Sequence, residues 1–397
     1  MMTDQRPLIY LDNAATSFPK PGCVGEAMVE FLAKKAVNPG RSGYELSLEA
    51  GLRIDAVRKS LVALFGHSTL EPSRAVFTAN ATDALNLAIA GLCRPGDHIV
   101  STVLEHNSVL RPLHMLKKQG VIHFDLAPCD ERGYIQPEIL AALIRPETRL
   151  VIMTHASNAL GTVQPVVEVG ALCRSKGILF LLDAAQTAGL LPVEMASWGV
   201  DLLAFTGHKS LMGPTGIGGL LVGPEVPIRS TRWGGTGVRS AQPDHPDEFP
   251  YRLEAGTLNA VGIVGLAAGL SWLQEENSAE TRSRKMGLAN RFLAGCRHIP
   301  GLKVTGIEPG EELDPTGRIP VLCLTLENRS VEEVGQFLDT DWNIAVRTGL
   351  HCAPLAHQAL GTGREGAIRF SFGPFNTTEQ IDSALEALTA IATRTSG

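Results

Sequence analysis

At 397 residues and 42.3 kDa the chain exceeds the roughly 150 residues of an ordinary domain, which predicts two domains. With 44 % hydrophobic and 19 % charged residues its composition is that of a compact soluble protein and excludes collagen, disorder and a disulfide miniprotein. Thirty-five basic against 41 acidic residues give a formal charge of −6, with no Lys/Arg cluster dense enough to follow a phosphate backbone, so nucleic acid is not an expected partner.

In chain order, the amino terminus MMTDQRPLIYLDNAATS has no charged segment leading into an apolar stretch, so secretion is not expected and a cytoplasmic location is. Aliphatic or β-branched runs at 74–78, 98–103, 121–126, 150–154, 178–182, 202–206 and 219–222 alternate with helical stretches. That rhythm predicts an α/β fold, a mostly parallel sheet covered by helices on both faces. Residues 224–256 break it with prolines, glycines and charges over a length unusual for a connection, which points to a functional segment or a subunit contact.

Helical periodicity resumes over 258–297; its apolar run at 260–273 is shorter than the roughly 20 residues of a membrane span and reads as a buried helix. Strand candidates at 302–305 and 321–326 follow, then a helix over 378–393 begun by a Thr/Thr/Glu cap. The expected division is a large domain over 16–257 and a smaller α+β domain over 1–15 and 258–397. Cys23, Cys93, Cys129, Cys173, Cys296, Cys323 and Cys352 are odd in number and include no Cys-x-x-Cys pair, which argues against metal and disulfides and leaves any important cysteine a thiol.

The chemistry concentrates in LLAFTGHKSLMGPTGIGG, residues 202–219, where an apolar strand ends in Thr206, Gly207, His208 and Lys209. A partly desolvated lysine at the carboxyl end of a sheet strand is a nucleophile fit to form a Schiff base; the alternative is a solvated surface lysine. In ILFLLDAAQ, Asp183 closes another apolar run, where a cationic ring nitrogen would remove the cost of an unpaired carboxylate, or where it caps the next helix. FTANATDALNLAIAGL, residues 77–92, puts Thr82 at a helix start that suits a phosphate, although such caps open many helices without ligands. GPTGIGG is not a dinucleotide loop, because a strand rather than a helix follows it.

These segments, with YLDNAATS, LEHNS, THASNALGT, EAGTLN and RTGLHCAPL, resemble the fold-type I, class V pyridoxal phosphate enzymes, specifically the cysteine desulfurases, over nearly the whole chain. The resemblance implies a seven-stranded large domain and a pyridoxal phosphate cofactor joined to Lys209, with Asp183 facing the ring nitrogen and His106 stacked on the ring. It places Asn158 and Gln186 near the phenolic oxygen, and Ala81, Thr82, Thr206 and His208 around the phosphate. Thr257 would reach that phosphate from a neighbouring subunit, making the protein a homodimer. Ala15, Asn158, Arg347 and Arg369 would hold substrate, the arginine fork of Arg369 gripping its carboxylate; without the resemblance Arg369 reads equally well as a surface ion pair.

RTGLHCAPL is similar to the RxGHHCA pattern of the SufS-like, selenocysteine lyase-like group, and Arg347 and His351 beside Cys352 would favour its thiolate; the alternative is a buried structural thiol. The implied reaction converts L-cysteine to L-alanine and leaves a persulfide on Cys352 for an unidentified sulfur acceptor, in Fe–S cluster or other thio-cofactor assembly. The rivals are a selenocysteine lyase, a C–S lyase, an aminotransferase of the same class, and a non-catalytic scaffold. The chain departs from the family at Asn80, where glycine is usual, and at Leu350, which replaces the first histidine of the pair.

Overall fold

The computed structural model describes residues 6–40, 43–276 and 278–394; stretches 1–5, 41–42, 277 and 395–397 of the expected domains lie outside the described residues. Strand β1 (Ile9–Tyr10) precedes helices α1 (Gly22–Lys34) and α2 (Glu45–Leu64). Strands and helices then alternate as β2 (Ala75–Thr78), α3 (Ala81–Leu92), β3 (Asp97–Thr102), α4 (Asn107–Lys118), β4 (Ile122–Ala127), α5 (Pro137–Ala142) and β5 (Thr148–Thr154). The series ends with α6 (Val166–Lys176), β6 (Leu179–Asp183), α7 (Met195–Trp198), β7 (Leu202–Thr206) and β8 (Gly218–Val222).

One seven-stranded sheet results, in the order β2-β8-β7-β6-β5-β3-β4. Its pairings are parallel except the two made by β8, which returns from β7 without a crossover helix. The mostly parallel sheet expected from the apolar runs is thus present, with β8 as its antiparallel member. Side chains alternate between two cores, as a period of two requires. Val151, Met153, Phe180, Leu182, Leu203 and Phe205 enter one face, while Leu150, Ile152, Leu181, Leu202 and Ala204 enter the other. Each such side chain stabilises by about 1.5–3 kcal/mol, so the middle of the sheet is a rigid platform.

Residues 223–259 carry neither helix nor strand. This segment is anchored at Glu254, whose carboxylate accepts two bonds of 2.8 Å from the Arg58 guanidinium and one of 2.6 Å from Phe77 N–H, tying the loop to β2. Two helices, α8 (Ala260–Glu275) and α9 (Ser278–Cys296), replace the single run expected over 258–297, because polar Glu275 and Glu276 interrupt the apolar periodicity. Ile263, Leu266 and Leu270 of α8 lie in a core of the large sheet, so by packing α8 goes with that sheet although it follows the expected boundary at 257.

The remaining elements are β9 (Leu302–Val304), β10 (Val321–Leu326), α10 (Val331–Trp342), β11 (Ile344–Ala345), β12 (Arg347–Gly349), α11 (Pro354–Ala359), β13 (Ala367–Ser371) and α12 (Thr378–Thr393). An antiparallel sheet β12-β13-β10-β9 shares a separate core with α9, α10 and α12, to which Ile9 of β1 and Ile344 of β11, paired in parallel as a two-stranded sheet of their own, also belong. The cap of α12 differs from expectation: Thr377 pairs reciprocally with Gln380, because the box needs the third helical residue and Glu379 is the second. No helix among the described residues is long and apolar enough to cross a membrane.

Candidate active site

The carboxyl ends of β5, β6 and β7 lie level, with Thr154 opposite Asp183 and Asp183 opposite Ala204. Thr206 ends β7, and Lys209 follows three residues on. Beside them α3 begins at Asn80, whose side chain accepts from Asp83 N–H while the Asp83 carboxylate accepts from Ala79 N–H. Asn80 has extended backbone, φ −174°, so the departure from glycine strains nothing. The glycine that this corner needs is Gly218 of β8, where an added Cβ would stand 2.7 Å from Asn80 Cα.

These ends open into a cleft of about 290 Å³. It is lined by Ala15, Ala81, Thr82, His106, Asn158, Asp183, Gln186, Thr206, His208, Lys209, Arg347, His351, Cys352 and Arg369, so the structure brings together every site residue expected from the sequence except Thr257. Thr257 is exposed and outside the lining of this single chain. Of the two departures, Asn80 is within the lining of the cleft, and Leu350 is exposed and outside it.

Burial decides the charges on the floor. It pushes the Lys209 amine down to about 8, against the pull of Asp183, so a neutral fraction exists near neutral pH. Burial raises the Asp183 carboxyl, and the Ala185 N–H donated at 2.9 Å and Lys209 oppose it. The rings of His106 and His208 are pushed down to about 4 by burial and by Lys209, which leaves both neutral. His106 caps α4 by accepting from Ser108 N–H, and its Nδ1 lies 2.7 Å from Ser108 Oγ, which in turn lies 2.6 Å from Thr82 Oγ1.

The peptide ahead of Lys209 is gripped from the amino-terminal segment. His208 O accepts from Ser17 N–H, Thr16 Oγ1 and Lys20 Nζ, and Lys209 O accepts from Ser17 Oγ at 2.8 Å. On the opposite wall, Arg369 of β13 stands across from Arg347 of β12. Arg369 is 2 % exposed, forms an ion pair with Asp12 at 2.6 Å and donates to Asn158 O at 3.0 Å. It is therefore a buried pair rather than a surface one. Asn158 Nδ2 donates to His351 O at 2.6 Å, and Gln186 Nε2 donates to Ala14 O at 3.1 Å.

One expectation is corrected here. His351 does not lend positive charge to Cys352, because burial and the Arg369 guanidinium push its ring down to about 3 and leave it neutral. Cys352 itself is partly exposed and unbonded to another cysteine, so its thiol is open to the cleft. Asp12, Lys20, Glu105 and Ser108 were not singled out from the sequence, although YLDNAATS and LEHNS contain three of them.

The donor set fits a phosphorylated aldehyde with a cationic ring nitrogen. Thr206 Oγ1 and His208 Nδ1, both in the cleft lining beside the α3 amino terminus, are buried without a hydrogen-bond partner among the described residues, as groups awaiting a phosphate would be. The buried Asp183 carboxylate suits the ring nitrogen and the Lys209 amine the aldehyde.

Comparison with known proteins agrees with this geometry. The family model described as aminotransferase class-V matches residues 9–384. A protein named a probable cysteine desulfurase of Methanothermobacter thermautotrophicus is 34 % identical over 395 residues, covering 98 % of this chain and 95 % of the relative. The apo structure of a cysteine desulfurase from Thermococcus onnurineus superposes with a TM-score of 0.88 at 30 % identity, covering 99 % of both chains. An Escherichia coli cysteine desulfurase structure gives a TM-score of 0.85 at 28 % identity, covering 97 % of this chain and 94 % of that one.

Proposed function

The chain belongs to the aminotransferase class-V family, and from that premise we propose that it is a pyridoxal phosphate-dependent cysteine desulfurase, converting L-cysteine to L-alanine with the sulfur passed to Cys352 as a persulfide. The observation that carries this reading is that Lys209 and Asp183, at and just beyond strand ends of the large sheet, and Cys352, on the turn after β12 of the smaller sheet, open onto one cleft.

Lys209 would hold the cofactor by its amine, Asp183 would face the ring nitrogen, His106 would lie on the ring, and Asn158 and Gln186 would flank the phenolic oxygen. Ala81, Thr82, Thr206 and His208 would take the phosphate. When bound, pyridoxal phosphate supplies an electron sink for the substrate Cα. With its amine free, Lys209 would take the Cα proton of the substrate, a task suited to an amine near 8. Ala15, Asn158, Arg347 and Arg369 orient the substrate, the two guanidiniums matching its carboxylate. Cys352, once deprotonated, attacks the substrate sulfur: the Sγ–Sγ bond forms as the Cβ–Sγ bond breaks, and the released electron pair takes up a proton to become the methyl of alanine. Cysteine and one thiol thus give alanine and one persulfide, with no outside oxidant.

The protein would act as a homodimer, a reading supported by the exposure of Thr257 away from its own cleft, on a loop that Glu254 and Arg58 fix to the sheet. It would work in the cytoplasm and hand sulfur to a protein acceptor. The test is incubation of the loaded enzyme with L-cysteine. Alanine and a persulfide on Cys352 are expected, and Cys352→Ser should keep the yellow absorbance and lose alanine formation. Pyruvate with ammonia would instead mark a C–S lyase, a new keto acid an aminotransferase, and alanine from selenocysteine alone a selenocysteine lyase.

A further inference from the structure

His357 of α11 lies close to Cys352 in sequence, and no step above uses it. It and His351 are both buried. His351 Nε2 lies 3.1 Å from Arg347 O, His351 Nδ1 lies 3.0 Å from His357 Nε2, and His357 Nδ1 lies 2.8 Å from Thr362 Oγ1. A carbonyl only accepts, so His351 Nε2 carries the proton. Burial, with the guanidiniums of Arg369 on β13 and Arg347 on β12, keeps His351 neutral, and burial with Arg369 does the same for His357; the thiol of Cys323 on β10 also faces His351, at 3.8 Å. His351 Nδ1 therefore accepts and His357 Nε2 donates, which leaves His357 Nδ1 the unprotonated nitrogen facing the Thr362 hydroxyl, whose oxygen also lies 3.2 Å from His357 O.

The consequence falls on the backbone. His351 and Cys352 have φ of +51° and +57°, a left-handed conformation that costs a residue with a side chain about 1–2 kcal/mol. Two such residues in succession persist only where their surroundings hold them. Asn107 N–H to Cys352 O at 2.7 Å and Asn158 Nδ2 to His351 O fix the two carbonyls, and the His351 ring fixes the turn back to Arg347.

We propose that His357 is a positioning residue for sulfur transfer: its Nε2–H holds the His351 ring in the one tautomer that ties Arg347 O to the turn, and this keeps the Cys352 thiol at the cleft. The inference rests on the reading of Cys352 as sulfur acceptor. Nitrogen-15 NMR of histidine-labelled enzyme at neutral pH should show His351 and His357 each protonated at Nε2. His357→Leu should lower kcat for alanine formation about tenfold with KM within about twofold, and slow alkylation of Cys352 by iodoacetamide, since misplaced reacting groups lose rate up to about 10²-fold. His357→Gln, whose Nε2 still donates, should restore both. A His351 proton on Nδ1, an unimpaired Leu variant, or a folded Gln variant as slow as Leu would overturn the proposal. Alanine formation surviving in Cys352→Ser would instead sink the acceptor reading while the tautomer assignment stood.

Discussion

The floor of the cleft and its wall meet opposite demands. On the floor, Asp183 and Thr206 end strands whose neighbours are buried between two apolar cores, so position comes from packing and the polar groups are left free for a ligand. On the wall, Cys352 sits on a turn with two left-handed residues, so position comes from hydrogen bonds among polar groups that are themselves consumed in the task. A group that must stay put through a reaction belongs on the first kind of support.

Substitutions can break this contrast, and the largest effect is expected on the floor. Lys209→Ala should reduce turnover by about 10²–10⁴-fold and abolish the imine absorbance, while thermal unfolding moves little because packing, not the amine, holds the strands. Activity within tenfold of the parent would show that the floor's chemistry lies elsewhere.

Next comes the junction. Asp12→Asn leaves the buried Arg369 guanidinium without its carboxylate and should cost about 3 kcal/mol of stability and raise KM for cysteine about tenfold. Calorimetry and steady-state kinetics on one preparation read both; an unchanged KM would mean that Arg369 does not take the substrate carboxylate.

The smallest effect on rate is expected beneath the floor. Glu105 is fully buried, accepts from Thr102 Oγ1 and Thr154 N–H with one oxygen, and has no partner among the described residues for the other. Burial pushes its carboxyl up to about 8, so the folded protein holds it protonated at neutral pH while the unfolded chain ionises near 4.5. The folded state then binds the extra proton, and stability falls as pH rises from about 4.5 through about 8. Glu105→Gln should leave turnover at neutral pH within about threefold and flatten that decline in urea unfolding measured across the range. An equally steep decline in the variant would mean that Glu105 is ionised in the fold.

Asp183 and Lys209 are legible because they close or follow apolar strands, and a polar residue at that position is a local pattern, whereas Thr206 gained its site role only from the family resemblance. Cys352 stands out through the resemblance of RTGLHCAPL to a family pattern, but the neutrality of His351 is not legible there, since it follows from burial beneath Arg369 and no local motif records burial. Asp12 was missed because its partner lies 357 residues away. Lys20 was missed because its target is a backbone carbonyl, His208 O, that carries no sequence signal.

By itself the amino-acid order determined the alternation of buried strands and helices, the sheet covered on both faces, and the placing of Asp183 and Lys209 at or just beyond strand ends, because apolar runs and the polar residues that follow them are properties of neighbouring residues. Only the tertiary structure decided which arginine is already committed to a carboxylate, which histidines are neutral, and where the cysteine turn is pinned. Those depend on contacts between distant segments and on water being excluded when they meet.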